Sequence, residues 1–141
     1  MKIVLAALAL AGCAHGTIGA MPLVPDPERT AAFIVVRPYH FVASGTAITV
    51  TVDGAEVCEL GIDEHVVIRV PEGERIVGLK TWSSSVLFTR AYPTQVVEAQ
   101  QGRTYYFRIG PHDMINRITE EAGRDLMSKT TLLTPAASGP R

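Results

Sequence analysis

The side chains able to do chemistry in this 141-residue sequence are few and scattered. Cys13 and Cys58 offer thiols, and His15, His40, His65 and His112 could bind a metal or move protons. A zinc site needs three or four ligands converging tetrahedrally, and the productive spacings set pairs of them on one helix or hairpin face. These histidines have no such spacing. His112-Asp113 and Asp63-Glu64-His65 are runs of neighbours whose side chains would point apart on a strand, so they are expected as loop and surface residues. Asp63-Glu64 and Glu120-Glu121 are read as exposed neighbours, the second at a helix start where acids suit the dipole. Glycoside hydrolysis needs instead two carboxyl groups facing each other across a cleft. Ser83-Ser84-Ser85 has no G-x-S-x-G elbow around it. Neither a G-x-G-x-x-G nor a P-loop is present. No catalytic residue, metal ligand or cofactor is assigned.

Cys13 stands apart because of what precedes it. After Met1-Lys2, residues 3–10 are an unbroken apolar run of eight. A bilayer span needs about 20 apolar residues, so this run suits the core of an export signal instead. It ends in Leu10-Ala11-Gly12-Cys13, which resembles the lipobox of bacterial lipoproteins. The resemblance implies that residues 1–12 are a signal peptide, that a diacylglyceryl group joins the Cys13 thiol, and that cleavage falls just before it. Acyl chains such as palmitate would then moor the protein, each buried methylene contributing about 0.8 kcal/mol. Ala14, rather than Asp, after the cysteine implies an outer-membrane destination facing the periplasm. Two other readings of the same residues stand beside this one. Cys13 could belong to an ordinary secretory signal cut after Ala14 or Ala20, or translation could start at Met21.

The elements that must carry these groups are mostly strands. Apolar residues make up 47% and charged residues 19%, which favours one globular domain over disorder. The net charge is −1, and loss of Lys2 with the signal leaves 12 basic residues against 14 acidic ones. No positive field of the kind a phosphate backbone requires is built, so nucleic acid is excluded as a partner. Arginines 37, 69, 75, 90, 103, 108, 117 and 124 are dispersed among carboxylates and read as solvated. Residues 13–30, with Pro22, Pro25 and Pro27, read as the lipidated cysteine and a flexible tether lifting the domain off the lipid. Residues 31–134 form the domain, and 135–141 a disordered tail.

Within that domain, 31–37 is a strand closed by Pro38. Ile48, Val50 and Val52 alternate with polar residues, as a half-buried strand does. Asp53-Gly54 supplies the positive φ angles of a tight hairpin, and 55–60 returns antiparallel. Val66, Ile68 and Val70 alternate before the Pro71-Glu72-Gly73 turn. Strands follow at 75–81, 94–99 and 104–109, the last turning Tyr105, Phe107 and Ile109 inward. Thr119 is placed to cap a short helix with Ile118, Ala122 and Leu126 on one face, and Gly123 costs it about 1 kcal/mol. Leu132-Leu133 is expected to pack against a sheet or add an edge strand. Cys58, beside Val57 and Leu60, reads as a small buried hydrophobe, with an intermolecular disulfide as the other reading. The fold class is mainly β: an antiparallel β-sandwich with one short C-terminal helix.

Several turn and strand motifs, Val36-Arg37-Pro38, Val52-Asp53-Gly54, Val70-Pro71-Glu72-Gly73 and Gly102-Arg103-Thr104-Tyr105-Tyr106, resemble a bacterial lipoprotein family known as domain of unknown function 2846. The Asp-Gly hairpin and the turn after it are also similar to the PEGA module, a small surface β-sandwich with a transthyretin-like form. The segment 82–93 and Cys58 depart from that pattern. The resemblance implies a fold and no catalytic residues. One feature suggests binding: Tyr39, His40 and Phe41 follow the first strand, and Trp82, Phe88 and Tyr92 punctuate a long connection. Loops at a sandwich end commonly carry binding groups, and such rings suit sugar faces or protein hot spots. They would serve equally to cap the open ends of the core. The sequence thus points to a membrane-held binding or accessory module with an envelope protein or glycan as partner. The alternative is a hydrolase or metal-dependent enzyme acting on envelope polymers, which would have to draw His40, His65 or His112 together with acids in one cleft.

Overall fold

The computed structural model describes residues 16–39, 47–80 and 93–135. Along the chain these form β1 (Thr17–Ile18), β2 (Thr30–Arg37), β3 (Ile48–Val52), β4 (Ala55–Leu60), β5 (Glu64–Pro71), β6 (Gly73–Lys80), β7 (Thr94–Ala99) and β8 (Thr104–Gly110). A 3₁₀ turn (Pro111–Asp113), β9 (Met114–Ile118), α1 (Glu120–Ser128) and β10 (Thr131–Leu132) follow. The strands build two five-stranded sheets, in the orders β1-β4-β3-β6-β7 and β10-β5-β2-β8-β9.

The two sheets bury one core between them because their facing positions alternate with polar ones. Val50, Val52, Leu60, Val77, Leu79 and Val97 come from the first sheet, and Phe33, Val35, Val66, Ile68, Phe107 and Ile109 from the second. Phe33 meets Tyr105 and Phe107 edge-on, with ring centroids 5.8 and 5.3 Å apart, the geometry that aromatic quadrupoles favour. The expected sandwich is therefore present, with its helix. It is not wholly antiparallel: β2 runs antiparallel to β5 but parallel to β8, and β10 runs parallel to β5. Parallel neighbours need a long connection, and here the chain passes through the first sheet before returning beside β2.

As the middle strand of its sheet, β2 is covered on both sides, which explains an apolar run without alternation. Its second face, Ile34 and Val36 with Tyr106 of β8, lies under Leu126 and Met127 of α1. Thr119 caps the helix as expected, its Oγ1 accepting the Ala122 N–H at 3.2 Å. The buried face, however, is Gly123, Leu126 and Met127; Ala122 is exposed and Ile118 ends β9. Gly123 is there for contact, since a Cβ on it would meet the Tyr106 side chain at 2.2–2.8 Å.

At the β3–β4 hairpin Asp53 (φ 50°) and Gly54 (φ 82°) both take the left-handed conformation, the requirement of a two-residue turn that matches strand twist. The pairing shifts between Val50 and Thr51, and this bulge turns the consecutive Val57 and Cys58 both into the core. Strand β9 and the 3₁₀ turn before it were not anticipated. His112 (φ 63°) and Asp113 (φ 56°) sit in that turn in the left-handed region, with His112 exposed, in keeping with their reading as loop and surface residues. Leu132-Leu133 does both things expected of it, adding edge strand β10 and burying Leu133.

The segment read as a flexible tether also differs. Thr17 and Ile18 pair antiparallel with Glu59 and Cys58 at the edge of the first sheet, and Ile18 and Met21 pack on the core. The bare edge of β4 and two apolar side chains outweigh the local signal of the prolines that follow. Among the described residues no helix is long and apolar enough to cross a membrane.

Candidate functional site

Strand directions give the sandwich two unlike ends. At one, β3 turns to β4 through Asp53-Gly54, β5 turns to β6 through Glu72, and β7 turns to β8 through residues 100–103. At the other lie the start of β1, the end of β2, residues 61–63, the ends of β6 and β8, and the starts of β3, β7, β9 and β10. Tyr39, just past β2, belongs to this second end and is 57% exposed. Cys13, His40, Phe41, Trp82, Phe88 and Tyr92 lie outside the described residues. The strands flanking both aromatic segments, β2 and β3 for one and β6 and β7 for the other, meet at this end.

The same end carries a buried polar cluster that the sequence reading had placed at the surface. Arg37, Glu64 and His65 are 5%, 7% and 6% exposed. Arg37 continues the inward parity of Phe33 and Val35, and Glu64 that of Val66 and Ile68, so both point between the sheets where the core runs out. They are register partners on β2 and β5. The Arg37 Nη1 donates to the Leu60 carbonyl at 2.8 Å, tying the second sheet to the first. Desolvation holds the Arg37 pKa below its ordinary value, against the opposing pull of the Asp113 and Glu64 charges. Beside the pair, Arg37, Ile48, Ile62, Ile109, His112 and Asp113 line a small crevice.

Glu64 gathers backbone donors. Its Oε2 accepts the Gly61 N–H at 2.7 Å, and its two oxygens accept the Gly16 N–H at 3.2 and 3.0 Å. Gly16 is fitted to this seat, since a Cβ there would meet the Glu59 carbonyl oxygen at 2.2 Å and Glu64 Oε2 at 2.6 Å. The first described residue of the chain is thereby fastened to a buried carboxylate.

His65 faces the other way, beneath the end of α1. Its Nδ1 lies 2.8 Å from Thr130 Oγ1, whose single proton is directed to the Leu126 carbonyl at 2.9 Å. The hydroxyl must then accept, which puts the proton of neutral His65 on Nδ1. Burial lowers the His65 pKa below 6.5. Cys58 is 3% exposed, and burial together with the Glu64 and Glu59 charges pushes its thiol up to about 12. It is held protonated and is a poor nucleophile.

Other expected groups stay apart. His112 is exposed, as are Glu120 and Glu121 in the first turn of α1. Among the described residues no three His, Cys, Asp or Glu side chains are grouped to hold a metal ion. A broad concavity of about 630 Å³ lies between β8, β9 and α1, lined by Tyr105, Tyr106, Arg117, Thr119 and Glu120 among others. The Arg117 guanidinium stands 4.8 Å over the Tyr105 ring there. The Tyr105 hydroxyl donates to the Glu98 carbonyl at 3.0 Å and accepts the Gln100 N–H at 2.9 Å. These contacts close the edge of the sandwich and staple β7 to β8, a structural role.

The signal for Arg37 and Glu64 was present in the sequence as parity, since each extends an inward-facing series by one step. The signal for Gly16 was absent, because its partner lies 48 residues away. No family model, curated protein or solved structure matches the chain.

Proposed function

We propose that this protein is a bacterial envelope lipoprotein, moored through a diacylglyceryl group on Cys13 and acting as a non-enzymatic binding or accessory module at the periplasmic face of the outer membrane. The observation that carries the reading is Leu10-Ala11-Gly12-Cys13 at the end of a short apolar run. Two features of the fold support it. The chain arriving from that thiol has a built seat at Gly16, and the lone core cysteine is protonated and buried, which suits an oxidising compartment. The turn motifs at Asp53-Gly54 and Pro71-Glu72-Gly73, which resemble those of the lipoproteins of domain of unknown function 2846 and of the PEGA module, belong to the same proposal. The proposed partner is an envelope protein or glycan.

Mass spectrometry of the mature protein is expected to show Cys13 as its first residue, carrying a glyceride. Cys13→Ser is expected to leave the membrane fraction while keeping the wild-type unfolding midpoint, because the core of the described residues is built from Ile18 onward. A mature N-terminus beyond residue 13, or a Cys13→Ser protein that stays with the membrane, overturns the reading.

A further inference from the structure

We infer that the loop end of the sandwich, around Tyr39, Ile62 and His112, lies against the lipid headgroups, held there because Glu64 clasps the chain three residues after its anchor. The inference rests on Cys13 being the lipid attachment. It follows from how little chain is left free. Gly16 is bonded to Glu64, Thr17 and Ile18 are paired to β4, and the Gly19 N–H donates to the Val57 carbonyl at 2.9 Å. Residues 19–30 then lead away along the fold to β2 and lend no slack to the anchor.

Between Cys13 and Gly16 there are three residue steps, each spanning at most about 3.3–3.6 Å, so the Cys13 Cα lies within roughly 11 Å of the clasp and its sulfur about 3 Å further at most. A headgroup layer is about 5–7 Å deep. A glyceride seated in the bilayer therefore brings the Glu64 end into or onto that layer. A free tether of 17 residues would have let the domain stand off and tumble; the clasp removes that freedom.

The occupant of this surface is a membrane, and the surface suits one. Tyr39 is 57% exposed and follows Pro38, and tyrosine favours the membrane–water interface. Exposed Asp63, His112 and Lys129 mix charge signs at this end, so zwitterionic headgroups suffice. The strands set the opposite end back: eight residues of β5 extend about 26 Å at 3.3 Å per residue, which carries Asp53-Gly54 and Gly73 well away from the lipid.

The test uses the full lipidated chain in phosphatidylcholine nanodiscs containing spin-labelled headgroups, with amide relaxation read residue by residue. Signals of residues 61–63, His112 and Thr131 are expected to be lost, and those of Gly54, Gly73 and Gly102 to be kept. Gly16→Val, whose Cβ would collide with the Glu59 carbonyl and Glu64 Oε2 and so open the clasp, should flatten that gradient. A flexible glycine-serine insertion between Cys13 and Gly16 should weaken broadening at every position. Uniform broadening in the wild type, or broadening strongest at Gly54, overturns the inference. The same sample is weighed first: a chain without glyceride on Cys13 refutes the anchoring itself, an outcome distinct from a lipidated chain that shows no gradient.

Discussion

The two ends of this sandwich are closed by different physics. At the turn end, neighbouring hairpins are joined close to the surface: Asp53 accepts the Ile76 N–H at 2.9 Å, Arg75 reaches Asp53 at 3.0 Å, and left-handed residues complete the β3–β4 turn. These contacts are exposed or half-buried, and each contributes little. At the loop end, an arginine and a glutamate are buried together and meet backbone groups of β4, the following loop and the N-terminal segment. A domain needing only to fold would close both ends with turns. The loop end instead spends desolvation on a charged pair, and what that obtains is a fixed path for the chain entering the fold.

Breaking the buried pair should have the largest effect. Glu64→Ala is expected to cost about 3–5 kcal/mol in urea unfolding, because Arg37 would keep its burial and lose one of the two carboxylates, Asp113 and Glu64, that offset its charge. Replacing both, as Arg37→Met with Glu64→Leu, should be close to neutral and should still free residue 16, which separates the clasp from stability. At the turn end, Gly54→Ala is expected to cost about 1–2 kcal/mol, since a Cβ is strained at that φ. Asp53→Asn, which keeps a residue tolerant of left-handed backbone and removes the charge from the Arg75 pair, should cost about 0.5 kcal/mol. If Gly54→Ala destabilises more than Glu64→Ala, the contrast between the ends is wrong.

The smallest effect is a pH dependence. His65 is neutral in the fold with its pKa below 6.5, so in the unfolded chain it takes up a proton first as pH falls. Stability is then full above about 6.5 and declines as pH drops from there through the folded value. Urea midpoints at pH 7.5 and pH 5 should differ more in the wild type than in His65→Gln. Equal differences would show that His65 carries none of that dependence.

What could be read from the sequence followed how local its cause is. Asp53-Gly54 and Thr119 announce a hairpin and a cap within four residues, and the structure has both. Cys58 in the core was legible from its neighbours, although the bulge that lets it join Val57 there was not. Arg37, Glu64 and His65 were read as solvated because charge alone suggests water; their burial depends on partners brought from other strands and the helix. Strand β1 depends on a bare sheet edge that no local pattern reveals. Gly123, a defect by helix propensity, became intelligible only beside the Tyr106 ring.

The parallel pairing of β2 with β8 has a kinetic consequence. Ala32 to Val36 wait for Thr104 to Arg108, so the middle of the second sheet cannot be completed until most of the chain is available. Non-local pairing of this kind folds slowly. A polypeptide cut off before β8 would pair β2 with β5 on one side and leave its other edge long, apolar and open, ready to aggregate. For a chain exported as proposed above, the same delay would keep the second sheet from closing until β8 had crossed the membrane.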